Sequence, residues 1–263
     1  MRYGIITVPV TDMRAEPDRR SERLSQALFG APVMIETVQN ECSRIILPDG
    51  YCGWCRSGHL DRIPHSAWKQ YLAQPRHLIK SVSAKVGDKG GHEPPFRLLF
   101  ATEVVVAKRA GKTIIRLPNG FSAPINPRQV IPAPAGPTRS VIGRRIVATA
   151  REFLGTPYLW GGITPCGFDC SGLVQTVYRF HGIRLPRDSK DQSRAGKPVD
   201  RAELRPGDLL FFPGHVAIAC GGMDIIHASA GRGMVTINAL DRTADNYRED
   251  LNSSFREARR VLP

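Results

Sequence analysis

A proline-rich segment divides the 263-residue chain into two parts of different character. In PAPAGPTRS, residues 132–140, the residues Pro132, Pro134 and Pro137 lie close together, which favours an extended linker. Before this segment, short runs rich in β-branched residues alternate with turn signals. After it, apolar residues recur at helical spacing before further short strands follow. We therefore expect an all-β part followed by an α+β domain.

The all-β part contains an internal repeat. LPDGYCGW at 47–54 and LPNGFSAP at 117–124 both carry Leu-Pro, an acid or amide, glycine and an aromatic residue, and similar strands flank them. The repeat predicts two small β-barrels of one type, at residues 1–63 and 81–131. Residues 64–80 are expected to connect them and to include a short helix.

Two helices are expected to open the C-terminal domain, residues 141–263. VIGRRIVATAREFLG has the apolar spacing of a helix that stops at Gly155. DCSGLVQTVYRFHG predicts a second helix, with Asp169 as its N-cap and Gly182 as its C-cap. GDLLFFPG, HVAIAC, DIIHASA and MVTINAL predict strands, and Asp208 suits a turn or the start of the first of them.

The net charge of +13 favours anionic partners, although a basic surface without a dedicated partner is equally compatible with it. No zinc-finger, homeodomain or similar signature accompanies the charge, and no apolar run approaches the ~20 residues of a membrane span. We therefore expect neither nucleic acid nor a membrane as a partner. The N-terminal MRYGIITVPVTDM lacks the pattern of a signal peptide. This predicts a cytoplasmic protein, or a secreted or periplasmic one if the natural N-terminus has been trimmed.

The segment YCGWC raises the possibility of a zinc site. Its residues Cys52 and Cys55 have Cys42 before them and His59 after them, which gives four potential ligands. The pair lies in a predicted strand, however, and no second Cys-x-x-Cys follows. Small buried thiols are therefore the favoured interpretation, and we expect no metal and no other cofactor.

Cys170 is the first residue of its predicted helix, where unpaired backbone N–H groups and the helix dipole favour a thiolate. A cysteine nucleophile also needs a base and a group that orients the base. His215 and His227 flank the predicted turn CGGM and are the candidates. The three residues predict a relay in which Cys170 attacks, His215 is the base and His227 orients it. A buried thiol and two structural histidines are the alternative.

The relay depends on the length of the turn. A two-residue Gly-Gly turn would put the two histidines on opposite faces of the sheet, because side chains alternate along a strand. A three-residue turn would pair Ala219 with Met223 and put the histidines directly opposite each other on one face. We expect the three-residue turn.

The sequence around these residues resembles the NlpC-type cysteine peptidases, a bacterial branch of the papain-like fold. The resemblance covers about residues 140–263 and is carried by TPYLWGGITPCGFDCSGLVQ, RPGDLLFF, GHVAIACGG and IIHAS. It implies the catalytic roles of Cys170, His215 and His227, and an oxyanion role for the Tyr158 hydroxyl. The predicted barrels resemble bacterial SH3-type domains. The expected fold is thus an α+β papain-like cysteine peptidase domain preceded by two small SH3-like β-barrels.

The layout resembles in particular the γ-D-glutamyl-L-diamino acid endopeptidases, which cut murein peptides that have a free N-terminal L-Ala. The resemblance implies a set of substrate-binding residues: Asp188, Ser189, Tyr51, Glu22, Trp160 and Ser171. Asp188 and Glu22, with Glu16 as a second choice, would pair with the substrate ammonium, because a buried unpaired charge is costly. Asp188 also suits a helix N-cap, and Tyr51 a half-buried strand aromatic. A murein peptide is the expected partner, and the oligomeric state and the diamino acid stay open.

Three other functions are compatible with the sequence. They are a secreted peptidoglycan hydrolase whose barrels bind the wall, a non-catalytic protein that binds wall fragments, and a lipid acyltransferase on the same fold. The complete Cys-His-His set argues against the second, and Asp188 has no role in the third. Cys166, four residues before Cys170, either packs or forms a disulfide with Cys170 on oxidation.

Overall fold

The computed structural model describes residues 2–87, 95–136 and 143–262. The chain divides into two compact units, Met1–Ala133 and Pro134–Pro263. The boundary falls within the predicted linker 132–140, of which residues 137–140 lie outside the described residues. In the described part of the chain, no helix is both long enough and apolar enough to cross a membrane.

Antiparallel strands make up most of the first unit. The first seven are β1 (Arg2–Ile6), β2 (Val10–Arg14), β3 (Arg23–Leu28), β4 (Pro32–Gln39), β5 (Cys42–Ile46), β6 (Cys52–Arg56) and β7 (Leu60–Ile63). They form one sheet in the order β3-β2-β6-β5-β4-β1-β7. Helix α1 (His65–Leu72) follows, where the sequence predicted a short helix.

The second half of this unit is also built from strands. They are β8 (Arg76–Ile79), β9 (Ser83–Val86), β10 (Phe96–Leu99), β11 (Glu103–Arg109), β12 (Lys112–Arg116), β13 (Ser122–Pro124) and β14 (Val130–Pro132). Five of them form a sheet in the order β13-β12-β11-β8-β14, and β9 pairs with β10. Closure of either large sheet into a barrel stays a prediction.

The two Leu-Pro turns have the same hydrogen bonds, which confirms the repeat at the level of local structure. In each turn the leucine N–H donates to the carbonyl of the aromatic residue, at 2.9 Å in both. The side chains of Asp49 and Asn119 accept from the backbone N–H groups of Tyr51 and Phe121. Each turn also contains a glycine with positive φ, a conformation that other residues rarely adopt.

The second repeat begins earlier than predicted. The last part of the predicted connector 64–80 forms β8, which pairs with both β11 and β14. Ile79 in β8 donates to residue 102 and accepts from residue 101, as Ile6 in β1 does with residues 31 and 30. Strand β8 thus has the place in the second repeat that β1 has in the first. It is too short for its alternation to be recognised without its partners.

The two sheets of the first unit share one hydrophobic core. The ring of Phe29 is buried, with its centroid 5.2 Å from that of Phe96 and 5.5 Å from that of Phe121. The cluster also contains buried residues from both sheets, among them Ile5, Ile63, Ile79, Val105 and Ile115. Apolar burial of this kind, at about 25 cal/mol per Å², stabilises both halves together.

The second unit places helices before an antiparallel sheet, as the sequence predicted. Its elements are α2 (Gly143–Arg151), β15 (Ile163–Thr164), β16 (Gly167–Phe168), α3 (Cys170–Phe180), α4 (Ser189–Gln192), β17 (Lys197–Val199), β18 (Leu209–Phe212), β19 (His215–Gly221), β20 (Asp224–Ser229), β21 (Met234–Ala239), α5 (Glu249–Ser254) and β22 (Glu257–Arg260). The sheet order is β17-β22-β18-β19-β20-β21. Helix α3 packs against β19 and β20, and α2 packs against α3.

Asp208 has a structural position at the start of β18. It is 1% exposed, and its carboxylate accepts from Arg260 Nε at 2.9 Å and Nη2 at 2.7 Å. Its Oδ2 also accepts from the backbone N–H of Arg205. These bonds hold β18 to β22 and agree with the predicted role as a residue at a turn or strand start.

Candidate active site

The cap of helix α3 fixes the position of Cys170. The Asp169 Oδ1 accepts from the N–H of Gly172 at 2.6 Å, as predicted for an N-cap, and its Oδ2 accepts from the N–H of Gly161 at 2.9 Å. A Cβ added at Gly172 would lie 2.1 Å from the carbonyl oxygen of Gly162. The first turn of the helix is therefore in close contact with the loop before it.

Sequence reasoning missed the buried residue Arg187, which holds this cap. Its Nη2 donates to Asp169 Oδ2 at 2.5 Å, and its Nη1 donates to Asp169 Oδ1 at 3.1 Å and to Ser171 Oγ at 2.8 Å. The sequence signal for a cationic partner was Asp169 itself. A buried carboxylate beside an apolar helix needs a cation nearby.

The predicted pairing of the β19–β20 hairpin is wrong by two residues. The register pairs Ala219 with Ile225, not with Met223, and Cys220 is left as a bulge before a two-residue turn. A two-residue turn alone would put the two histidines on opposite faces. The extra residue in the bulge restores the alternation, so that both histidines lie on one face as diagonal neighbours.

His215 and His227 are in direct contact. His215 Nε2 lies 2.8 Å from His227 Nδ1, and the two rings are nearly perpendicular at a centroid distance of 4.9 Å. His227 is 2% exposed, and its Nε2 lies 3.0 Å from Oδ1 of Asn238. Asn238 was not predicted, although alternation along MVTINAL could have identified its side of the strand.

The Cys170 thiol lies against the start of β19. The backbone N–H of Val216, the residue after His215, donates to the sulfur. Burial, and then the negative charge of Asp169, raise the pKa of Cys170 to about 11, although the N–H donors and Arg187 act in the opposite direction. Burial therefore outweighs the helix start, which was expected to favour a thiolate.

Both imidazoles are held in the neutral form. Burial, and then the nearby His227 and Arg248, lower the pKa of His215 to about 3, although Asp250 acts in the opposite direction. Burial also lowers the pKa of His227, although its hydrogen bond to Asn238 acts in the opposite direction. The resting site thus combines an uncharged thiol with uncharged imidazoles.

Tyr158 lies near the thiol. Burial raises the pKa of its hydroxyl to about 12, and the neighbouring Cys170 and Asp169 contribute in the same direction. The Tyr158 N–H donates to the carbonyl of Gly233 at 2.7 Å, which fixes the backbone of this residue. The hydroxyl therefore keeps its proton and remains a hydrogen-bond donor at neutral pH.

Helix α4 contacts the first turn of α3 through its last residue. Gln192 Nε2 donates to the carbonyl of Ser171 at 3.1 Å, which links the two helices. Asp188 is exposed and occupies the N-cap position of α4 without a side-chain capping bond, and Ser189 is half-buried. Trp160 is 59% exposed. The Ser171 hydroxyl faces the buried ion pair, and contact of Asp188, Ser189 or Trp160 with a substrate stays a prediction.

The residues predicted in the first unit lie near one another. Tyr51 is half-buried, and its hydroxyl donates to the carbonyl of Leu24 at 3.5 Å. Glu22 is exposed and directly precedes β3, and its carbonyl accepts from Ala15, the neighbour of Glu16. Contact of these side chains with a substrate stays a prediction.

The cysteines of YCGWC are not arranged for chelation. Cys52 and Cys55 are three residues apart on β6, so their side chains point to opposite faces of the sheet. His59 Nδ1 instead lies 2.8 Å from the hydroxyl of Thr11. Across the residues that the structure describes, no group of three or more His, Cys, Asp and Glu side chains is placed to hold a metal ion.

The hypothesis of a disulfide between Cys166 and Cys170 does not fit the folded chain. Cys166 is exposed at the turn of the β15–β16 hairpin. The residues that lead from it to Cys170 are extended, and four extended residues span roughly 13 Å. A disulfide requires Cα atoms within about 7 Å.

Comparison with known proteins decides the family. The profile of the NlpC/P60 family matches residues 155–250, and the profile of the bacterial dipeptidyl-peptidase Sh3 domain matches residues 13–60. A gamma-D-glutamyl-L-lysine dipeptidyl-peptidase from Bacillus subtilis (strain 168) is 31% identical over 238 residues, which are 83% of this chain and 76% of that protein. The chain belongs to the NlpC/P60 family. It is a cysteine peptidase of that family.

Two further NlpC/P60 comparisons extend over nearly the whole chain. Dipeptidyl-peptidase 6 from Lysinibacillus sphaericus is 29% identical over 269 residues, which are 96% of this chain and 97% of that protein. The crystal structure of an NlpC/P60 family protein from Bacillus cereus ATCC 10987 has a TM-score of 0.83 at 24% identity, and the match covers 99% of this chain and 100% of that one. The second comparison supports the fold.

Proposed function

We propose that this NlpC/P60 peptidase is a γ-D-glutamyl-L-diamino acid endopeptidase that acts on murein peptides with a free N-terminal L-Ala. The contact of His215 with His227 beside the Cys170 thiol carries the chemistry. The choice of substrate is supported by the relatives, of which one is named a gamma-D-glutamyl-L-lysine dipeptidyl-peptidase and another dipeptidyl-peptidase 6.

The reaction is acyl transfer through a thioester. The Cys170 sulfur attacks the γ-carbonyl carbon of D-Glu while its proton passes to His215. The Tyr158 hydroxyl and the Cys170 N–H donate to the oxyanion, where one donor is typically worth about 3 kcal/mol. His215 then protonates the leaving amine of the diamino acid as the C–N bond breaks. Water attacks the thioester, gives its proton to His215, and the proton returns to the sulfur as the C–S bond breaks.

The burial of Cys170 and His215 bears on the step at which the thiol proton passes to His215. Burial disfavours both the Cys170 thiolate and the His215 imidazolium. Proton transfer therefore accompanies the attack, when His215 acts as a general base.

The proposed selectivity for a free N-terminus requires a carboxylate partner for the substrate ammonium. Asp188 is exposed at the start of α4, and the last residue of α4, Gln192, donates to the carbonyl of Ser171 in the first turn of α3. Ser189 follows Asp188. Glu22 and Tyr51, in the first unit, remain sequence-based candidates for further contacts with the substrate.

The test is hydrolysis of L-Ala-γ-D-Glu-meso-diaminopimelate and of its Lys counterpart, followed by mass spectrometry. The same peptides with an acetylated N-terminus run beside them. We expect cleavage of the free peptides alone, at the γ-D-glutamyl bond. Cys170→Ala is expected to lose the activity, and Cys166→Ala, which removes an exposed thiol four residues away, is expected to retain it.

The acidic subsite has its own control pair. Asp188→Asn is expected to raise KM for the free peptide at least about tenfold, because a charge-assisted contact is lost. Asp191→Asn, which changes an exposed carboxylate on the same helix, is expected to leave KM unchanged. Equal cleavage of free and acetylated peptides would remove the ammonium subsite from the proposal, and cleavage of neither would overturn the substrate class.

A further inference from the structure

Asn238 connects the histidine pair to the backbone of a neighbouring loop. It lies on β21, 2% exposed, two residues beyond Thr236, which pairs with His227. Its Oδ1 lies 3.0 Å from His227 Nε2, and its Nδ2 lies 3.1 Å from the backbone carbonyl of Asn246. The carboxamide therefore has one fixed contact on each side.

The contact with Asn246 determines the orientation of the amide. A backbone carbonyl only accepts hydrogen bonds, so the atom of Asn238 that faces it must be the NH₂ group. The carbonyl oxygen of the Asn238 side chain then faces His227. Because this oxygen only accepts, His227 Nε2 must carry a proton.

The orientation of Asn238 then determines the proton positions of both histidines. A neutral His227 with its proton on Nε2 has an unprotonated Nδ1, which accepts. Among the residues that the structure describes, the partner at Nδ1 is His215 Nε2, at 2.8 Å, so this nitrogen must be the donor. In neutral His215 the remaining nitrogen, Nδ1, is unprotonated and is the one that can take the proton of Cys170.

The charged groups around the site do not alter these proton positions. On the histidine side lie Arg248 and Asp250, which form a bidentate ion pair at 2.8 and 2.6 Å, so their charges act against each other. On the thiol side lie Asp169 and Arg187, which are also paired with each other. Burial of His227 opposes its imidazolium form, in which both nitrogens would donate.

We propose that Asn238 is a positioning residue, which fixes the tautomers of His227 and His215 and so presents His215 Nδ1 as the base. The inference rests on the proposed peptidase function for its kinetic consequences, but the proton positions are a property of the resting protein. Asn238 does not touch the reacting atoms. It acts through His227, and its own orientation is set by the backbone of residue 246.

The first measurement is the long-range ¹H–¹⁵N NMR spectrum of the full chain, with the signals of His215 and His227 assigned through single His→Gln variants. We expect both residues to be neutral with the proton on Nε2 at pH 7. A proton on Nδ1 of His227 would overturn the proposal. The spectrum needs neither a substrate nor a variant of Asn238, so failure of the proposed substrate leaves this test intact.

The second measurement uses Asn238→Leu, which keeps the approximate volume and removes the acceptor. The two histidines are expected to populate mixed tautomers. kcat is expected to fall by about 10- to 100-fold, which is part of the 10²–10⁴-fold that a general base contributes, while KM changes less than about twofold. Asn252→Ala, which removes another half-buried amide that bonds Tyr247 and Arg201, is expected to leave spectrum and kcat unchanged. Asn238→Ser serves if the leucine variant does not fold. Native tautomers and native kcat in a folded Asn238 variant would contradict the inference.

Discussion

At the scale of single residues, the ion pair of Asp169 and Arg187 combines a structural and a positional role. The Asp169 carboxylate accepts from two backbone N–H groups and from the guanidinium, so its negative charge is fully paired in a buried site. The same carboxylate is next to the nucleophile and contributes to its raised pKa. Removal of the guanidinium would leave this charge buried without its cation.

Arg187→Met is therefore expected to lower the free energy of unfolding by about 3–5 kcal/mol, the usual result of breaking a buried pair from one side. Urea unfolding followed by circular dichroism measures it. Arg194→Met is the matched control, because Arg194 pairs with Asp191 at 3.1 Å with its side chain 69% exposed. The control is expected to change stability by less than about 1 kcal/mol. Equal effects of the two variants would contradict the assigned role of Arg187.

The distance along the chain between interacting residues explains which features the sequence could predict. The cap at Asp169 was predictable because it depends on residues within one helical turn. The grouping of His215 with His227 was predictable from the motifs, and the two rings are in contact. Arg187 was not, because its partner lies 18 residues away on another segment and no local pattern joins them. Asn238 was missed for the same reason.

At the scale of elements, helix α3 is placed by a glycine rather than by helix propensity. Gly172 lies in the first turn, where its missing side chain admits the carbonyl of Gly162. Helix propensity alone predicts that alanine would stabilise the helix by about 1 kcal/mol. The close contact predicts the opposite sign.

Gly172→Ala is expected to destabilise the protein by about 1–3 kcal/mol, because the added methyl group must displace backbone. It is also expected to reduce kcat, since the displaced turn carries Cys170. Thermal unfolding and peptide hydrolysis measure the two effects. Gly231→Ala, at a position with open space and no positive φ, is the control and is expected to be neutral. A stabilised and active Gly172→Ala would show that the loop before α3 can move aside.

Elements also mark the limit of prediction from sequence. The helix of Cys170 and the strands of the hairpin follow from periodicity over many residues. The register of the hairpin does not, because the bulge at Cys220 depends on pairing energies along both strands. Strand β8 was assigned to the connector because RHLI is too short to have a pattern of its own.

At the scale of the whole molecule, the first unit is expected to unfold cooperatively although its sequence is a repeat. The core that contains Phe29 also contains residues of β8, β11 and β12. The first repeat also has a smaller cluster of its own around Ile6, Ile35 and Ile45, but Phe29 belongs to the shared core. The unit boundary between Ala133 and Pro134 is therefore the better place to divide the chain than the repeat boundary.

A fragment of residues 1–133 is expected to show one cooperative transition in urea. A fragment of residues 1–63 is expected to be largely unfolded, because it exposes Phe29, Ile5 and Ile63, each worth about 1.5–3 kcal/mol when buried. Fluorescence and circular dichroism should give coincident curves for the longer fragment. A cooperative transition of the shorter fragment at a similar urea midpoint would contradict the importance of the shared core.

Because of the bulge at Cys220, the faces on which the side chains of the β19–β20 hairpin lie depend on the number of residues between His215 and His227. Insertion or deletion of one residue between the two histidines moves every side chain beyond that point to the other face of the sheet. His215 and His227 would then lie on opposite faces. A change by two residues preserves the faces and only lengthens the diagonal between the rings. During evolution of such a hairpin, insertions and deletions are therefore expected in pairs, or accompanied by the gain or loss of a bulge elsewhere in the same two strands.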